Sequence, residues 1–63
     1  MKYLVLEIQT YADGTIGVPP VPSFDKYSDA QARYYSILAA AAISNLPIHT
    51  AEIVDNKGKV YIK

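Results

Sequence analysis

The sequence predicts a small α+β fold of order ββαββ, with one helix laid across one face of a mostly antiparallel sheet of three or four strands. Three observations predict it. The opening "KYLVLEIQTY" alternates with the period of a half-buried strand. A central alanine-rich segment carries start and stop signals of a helix. Two glycine-bearing turns, one before the helix and one after it, each sit between strand-like runs.

In the first strand Leu4, Leu6 and Ile8 share one side, and Val5, Glu7, Gln9 and Tyr11 share the other. The purely aliphatic set is the expected core face. Asp13-Gly14 supplies the positive φ of a tight hairpin, so Thr15 to Val18 is expected to return as a short antiparallel strand. Pro19, Pro20 and Pro22 lack amide hydrogens and fix their own φ, which makes "PPVPSFDKY" a stiff connector that docks Phe24 over the core. A polyproline ligand for a partner domain is the less favoured use of that segment.

Ser28 is the expected N-cap, with Gln31 completing a capping box and Asp29 suiting the positive end of the dipole. Asn45 in a left-handed cap and Pro47 behind it end the helix, which therefore spans Asp29 to Ser44. His49 to Asp55, the turn "DNKG" with Gly58 left-handed, and Lys59 to Lys63 form the second hairpin. Residues 1–63 make a single domain.

At 100° per residue Tyr35, Leu38, Ala39, Ala42 and Leu46 form one helical stripe, expected to lie on Leu4, Leu6 and Ile8. Tyr34, Ile37, Ala40, Ala41 and Ile43 fall largely outside it, and from Ile37 to Ile43 no residue is polar. A helix apolar all round is normally buried all round. Ile37, Ala40, Ala41 and Ile43 are therefore the expected oligomer interface, in a chain of 63 residues whose core needs a supplement. The opposing consideration is that alanine is simply the best helix former. The far face of the sheet is then left with Tyr3, Val5, Glu7, Gln9 and Tyr11, joined by Glu52, Val54 and Tyr61.

Composition narrows the function classes. Six basic and six acidic residues cancel, which disfavours a dedicated nucleic-acid binder. The chain has no cysteine, so disulfides, thiolate metal sites and a cysteine nucleophile are excluded. No stretch approaches the ~18 apolar residues of a membrane span, and the opening turns polar at Glu7 before any cleavage site. A cytoplasmic protein without membrane contact is expected.

Side chains that could carry chemistry are sparse. His49 stands alone near a strand start, and Ser23, Ser28, Ser36 and Ser44 sit in no nucleophile elbow. Glu7 and Glu52 on one side of the sheet would more simply form a cross-strand charge network with Lys59 or Lys63 than an acid–base or metal pair. "ADGTIG" opens no helix and "DNKGK" lacks a calcium loop's acidic set, so no phosphate loop, metal or cofactor is expected. Six tyrosines favour interfaces and ligand-lining surfaces. Arg33, the one arginine, with Tyr34, Tyr27, Tyr11 and His49, is the candidate site for a small anionic ligand. Set against it is Arg33 as a solvated helix residue.

"MKYLVLEIQTYADGT", "YYSILAAAAIS" and "PIHTAEIV" resemble a group of small phage- and prophage-encoded proteins of gut Firmicutes. The resemblance brings no activity and no functional residues with it. It implies a phage accessory protein in the bacterial host, a class in which some anti-defence proteins are tiny homo-oligomers that sequester nucleotide immune signals between subunits. The expectation is thus a non-enzymatic homo-oligomeric binding protein, with nucleotide-signal capture at subunit interfaces as its sharpest form. The alternative is a structural or protein-interaction accessory that binds a host or virion protein through the far face of the sheet or a strand edge.

Overall fold

The structure is a computed structural model and describes residues 1–62. Lys63, the end of the expected last strand, lies outside the described residues. In chain order the elements are β1 (Tyr3–Thr10), β2 (Ile16–Gly17), β3 (Ser23–Phe24), α1 (Tyr27–Ala42), β4 (Ile48–Asp55) and β5 (Val60–Ile62). One helix packs on one antiparallel sheet, ordered β2-β1-β4-β5, with β3 also pairing β1. The order is ββαββ with one addition, the short β3.

The frame is the long pairing of β1 with β4, which runs from Tyr3 opposite Asp55 to Thr10 opposite Ile48. β2 and β3 share the other edge of β1 at its two ends, through Gln9–Gly17 and Thr10–Ile16, and through Tyr3–Phe24 and Leu4–Ser23. Pro19, Pro20 and Pro22 lie between them in sequence and offer no amide donors, so the segment along this edge cannot extend the sheet. The Val5 amide donates to the Pro22 carbonyl at 3.3 Å, which ties the connector down.

Both hairpin turns use their glycines as expected. Gly14 and Gly58 have φ of 89° and 90°, the left-handed region that glycine enters at no steric cost. Asp13 Oδ1 accepts from the Thr15 amide at 3.0 Å and from its hydroxyl at 2.7 Å, which fixes the first turn. β2 itself is only Ile16–Gly17, shorter than the expected return from Thr15 to Val18. In the second hairpin a register shift between Ile53 and Val54 lets both Tyr61 and Ile62 pack against the core.

The structure corrects which face of the sheet is the core. The buried cluster is Val5, Ala30, Ile37, Ala51 and Ile53, each 3% exposed or less, ringed by half-buried Tyr3, Phe24, Tyr27, Tyr34, Tyr61 and Ile62. Leu4, Leu6 and Ile8 therefore point away from the helix, because side chains alternate along a strand and Val5 is in the core. Two causes are visible. Ala51 and Ala30, both fully buried, are small enough to bring α1 close to β4. The polar members of the odd set, Glu7 and Gln9, find hydrogen-bond partners on this side.

The helix is corrected in the same way. Tyr27, Ala30, Tyr34, Ile37 and Ala41 recur at helical spacing and face the sheet, whereas Tyr35 is 59% exposed and Ala39 and Ala42 are exposed. Ile37, expected at an oligomer interface, is instead the helix's main contribution to its own chain's core. α1 also begins earlier than expected, at Tyr27, whose ring is 5.5 Å from that of Tyr3 and 5.4 Å from that of Tyr61. Ser28 consequently lies within the first turn, and the N-cap is Lys26 with no side-chain cap bond, so the Ser28–Gln31 capping box does not form. The helix closes at Ala42 with Ile43 as C-cap, and Asn45 is not left-handed. The Ser44 hydroxyl oxygen accepts from the Leu46 amide at 3.1 Å instead, ahead of Pro47.

Candidate functional site

Between α1 and the end of the sheet where β1 finishes and β4 begins lies a polar cluster centred on Glu7. Register places Gln9 opposite His49 and Glu7 opposite Ala51, all on the helix side. His49 Nε2 donates to Glu7 Oε2 at 2.7 Å and Gln9 Nε2 donates to the same oxygen at 2.9 Å. The Tyr11 hydroxyl donates to Gln9 Oε1 at 2.9 Å. From α1, Arg33 Nη2 stands 3.8 Å from Glu7 Oε1, an ion pair longer than a hydrogen bond. The His49 and Glu7 side chains are only 9% and 14% exposed, and that of Arg33 is 43%.

Burial works against ionisation of Glu7, but the hydrogen bonds from His49 and Gln9 and the charges of His49 and Arg33 outweigh it and hold the carboxyl below its ordinary 4.5. The Nδ1 of His49 is buried without a hydrogen-bond partner. Its seclusion denies it the access a general base needs. No serine or threonine hydroxyl is hydrogen-bonded to the pair among the described residues. The arrangement joins β1 to β4 through Glu7 and His49, with Arg33 of α1 at its edge.

Of the expected ligand residues, the fold brings Arg33 and His49 together on Glu7 and reaches Tyr11 through Gln9. Tyr34 packs against the core and meets Tyr35 edge-on at 5.4 Å. Tyr27 belongs to the Tyr3–Tyr61 cluster at the far end of β1, about 25 Å of strand away from Tyr11. One chain therefore does not gather the five, and the carboxylate among them offsets the positive charge an anion would seek. The described residues enclose no pocket. Nor do Glu7 and Glu52 share a side, since Glu52 pairs with Leu6 on the opposite face. Gln9 was the overlooked member; its spacing of two from Glu7 on one strand was the available signal.

A second polar feature is structural. Asp55, 4% exposed, accepts from the amides of Lys57 and Lys59 at 2.8 and 2.9 Å and from the Tyr61 hydroxyl at 2.9 Å. The Lys59 amide bond is the main reason its carboxyl lies below the ordinary range. It closes the β4–β5 turn.

The larger candidate is the face turned away from the helix. Register puts Leu4, Leu6, Ile8, Ile48, Val54 and Val60 on it, and Ile16 beside Thr10 extends it across β2. Ile16, Ile48 and Val60 are 67%, 52% and 45% exposed. Glu52 is the one charged residue that the described strands place on this side, with Thr10, Thr50 and Ser23 as its other polar members. On the outer side of α1, Ala40 is exposed and Ile43 is 86% exposed, while Ala41 is half-buried. No helix of the described residues is long and apolar enough to cross a membrane.

No family model, no curated protein and no solved structure matches the chain.

Proposed function

We propose that this protein is a non-enzymatic binding protein that works as a homo-oligomer and meets its partners through protein surfaces, as a phage accessory protein would. The observation that carries the reading is the aliphatic face of the sheet, which α1 leaves uncovered. Contiguous apolar patches of this kind on a polar-rimmed domain mark interaction surfaces. The Glu7–His49 pair has its second ring nitrogen sealed off, which favours binding over catalysis.

Capture of a small anionic, nucleotide-type signal is the finer form of the reading. It is supported by Arg33, whose side chain is 43% exposed and only loosely held by Glu7. Such a site would need a second subunit to supply its stacking surfaces, because Tyr27 and Tyr11 stand at opposite ends of one chain.

Native mass spectrometry of the purified protein tests both levels. A defined oligomer that persists on dilution to micromolar concentration is expected. Additional mass of a few hundred daltons per site would favour nucleotide capture, and a clean oligomer would favour a protein partner. A folded monomer at every concentration would overturn the proposal.

A further inference from the structure

We infer that the proline-rich connector between β2 and β3 is a preformed polyproline II ligand, and that its partner is a protein groove lined with aromatic rings. The inference rests on the reading above of a protein that meets its partners through protein surfaces, and it names one such surface. It does not depend on the oligomer.

The register of the sheet fixes the shape of the connector. Gly17 stands opposite Gln9 and Ser23 opposite Leu4, so the chain from 17 to 23 runs alongside β1 from Gln9 to Leu4. Five strand steps at ~3.3 Å make about 17 Å, which the connector covers in six steps of about 2.8 Å each. That is close to the ~3.1 Å rise of polyproline II and nearly twice the ~1.5 Å of an α-helix. The residues agree. Pro19, Pro20 and Pro22 hold φ at about −65°, and Val18, Pro19 and Val21, each preceding a proline, are kept out of the helical region.

Exposure follows the same geometry. With three residues per turn, Val18 shares a ridge with Val21, Pro19 with Pro22, and Pro20 with Ser23. Pro19 and Pro22 are half-buried, whereas Val18, Pro20, Val21 and Ser23 are exposed. One ridge therefore leans on the chain's own sheet edge and two stand in solvent, with Val18 54% and Val21 41% exposed. The Val5 amide donates to the Pro22 carbonyl, and the pairings of β2 and β3 with β1 pin both ends. A free peptide loses conformational entropy when it takes up this shape on binding; here folding has already fixed it.

The exposed chemistry selects the partner. Three of the five residues from Val18 to Pro22 lack an amide hydrogen, so strand addition along this segment is blocked. Among the described residues no hydrogen bond goes to the carbonyls of Val18, Pro19, Pro20 or Val21. The segment thus offers free acceptors beside an apolar ridge. A groove of aromatic side chains matches both, since its rings form slots for the valine ridge and its indole or phenol donors reach the carbonyls. Pro19 and Pro22 have the P-x-x-P spacing that such grooves read, and a valine precedes each of them. From Ile16 to Phe24 no side chain is charged, so the matching groove is apolar rather than acidic or basic.

The test is methyl NMR on the intact protein with isotopically labelled valine and isoleucine, titrated separately with an isolated SH3 domain and an isolated WW domain, each to about 1 mM. Both domains take polyproline II segments in aromatic-lined grooves. The expected result is a saturable shift of the Val18 and Val21 methyls with at least one of the two, while Ile43 on the outer helix surface stays unmoved. Val21→Asp, which places a charge on the open ridge, should weaken that binding about 10-fold or more, and Ile43→Asp should leave it unchanged. Should Val21→Asp fail to fold by circular dichroism, Pro20→Ala at an exposed position carries the comparison, with a loss of about threefold or more. No saturable shift at either valine with both domains, or equal affinity in the native chain and these variants, would overturn the inference. Shifts at Val18 and Val21 that follow the protein's own concentration, with no domain added, would give the ridge to a second copy and overturn it as well. Each of these failures removes this surface alone, because the wider reading is decided by the native mass spectrum.

Discussion

Ile37 and Ile43 are six residues apart, and sequence patterning assigns both to the same outer surface, yet the structure buries one and leaves the other 86% exposed. Replacing each by valine removes one methylene and preserves β-branching, so helix propensity barely changes. At Ile37, only 3% exposed, the lost transfer energy is about 0.8 kcal/mol, and the methylene-sized void adds up to about 0.5 kcal/mol. At Ile43 nearly all of that side chain is already in water, and the cost should be about 0.2 kcal/mol or less. A domain of this length is stable by about 3–9 kcal/mol, so valine shifts the transition where alanine could abolish it. With a urea m-value of about 1 kcal/mol/M, Ile37→Val should lower the midpoint by about 1 M and Ile43→Val by about 0.2 M or less. Far-UV circular dichroism reads both, at one fixed protein concentration because association adds to apparent stability. Equal shifts, or a larger shift for Ile43→Val, would refute the assignment of Ile37 to the core and return the alanine-rich surface to an interface.

Glu7 gives a pH prediction: its folded carboxyl titrates below 4.5, so its contribution is fully present above that value and is lost as pH falls through the lower folded value. Asp13, Asp25 and Asp55 titrate in the same direction, so the measurement is the difference between the native chain and Glu7→Gln, whose urea midpoint should fall less steeply below pH 4.5. Parallel profiles for the two proteins would show that Glu7 is not ionised against His49 and Arg33. Gly17→Ala tests a close approach, because a Cβ there would stand 3.0 Å from the Tyr11 ring. Tyr11 should swing aside at a cost of about 1 kcal/mol, a cost that disappears in a Tyr11→Ala background when the two changes are combined in a double-mutant cycle.

Local signals in the sequence were reliable where the physics is local. Gly14 and Gly58 occupy positive φ because a tight turn requires it and the surrounding residues leave no alternative. Pro47 keeps the helix from running on into β4, although α1 already closes at Ala42. The candidate site was legible only in part. Arg33, His49 and Tyr11 do gather, but around Glu7 and Gln9, whose shared strand face was visible while its orientation was not. The Ser28 cap failed for a tertiary reason, since Tyr27 is drawn into contact with Tyr3 and Tyr61 and starts the helix before Ser28 can cap it.

By itself, then, the sequence determined the order of elements apart from the short β3, the two turns and the absence of thiol chemistry. Tertiary structure alone decided which side faces the helix. A strand's side chains alternate with a period of two, so a choice of face moves every residue of β1 and β4 together, and no single position reveals it. Leu4, Leu6 and Ile8 are the more aliphatic set, yet the register of Val5 with Ile53, the small Ala51 and Ala30 beneath the helix, and the partners waiting for Glu7 together outweigh them. The same choice of face buries Ile37 and turns Leu4, Leu6 and Ile8 away from the helix.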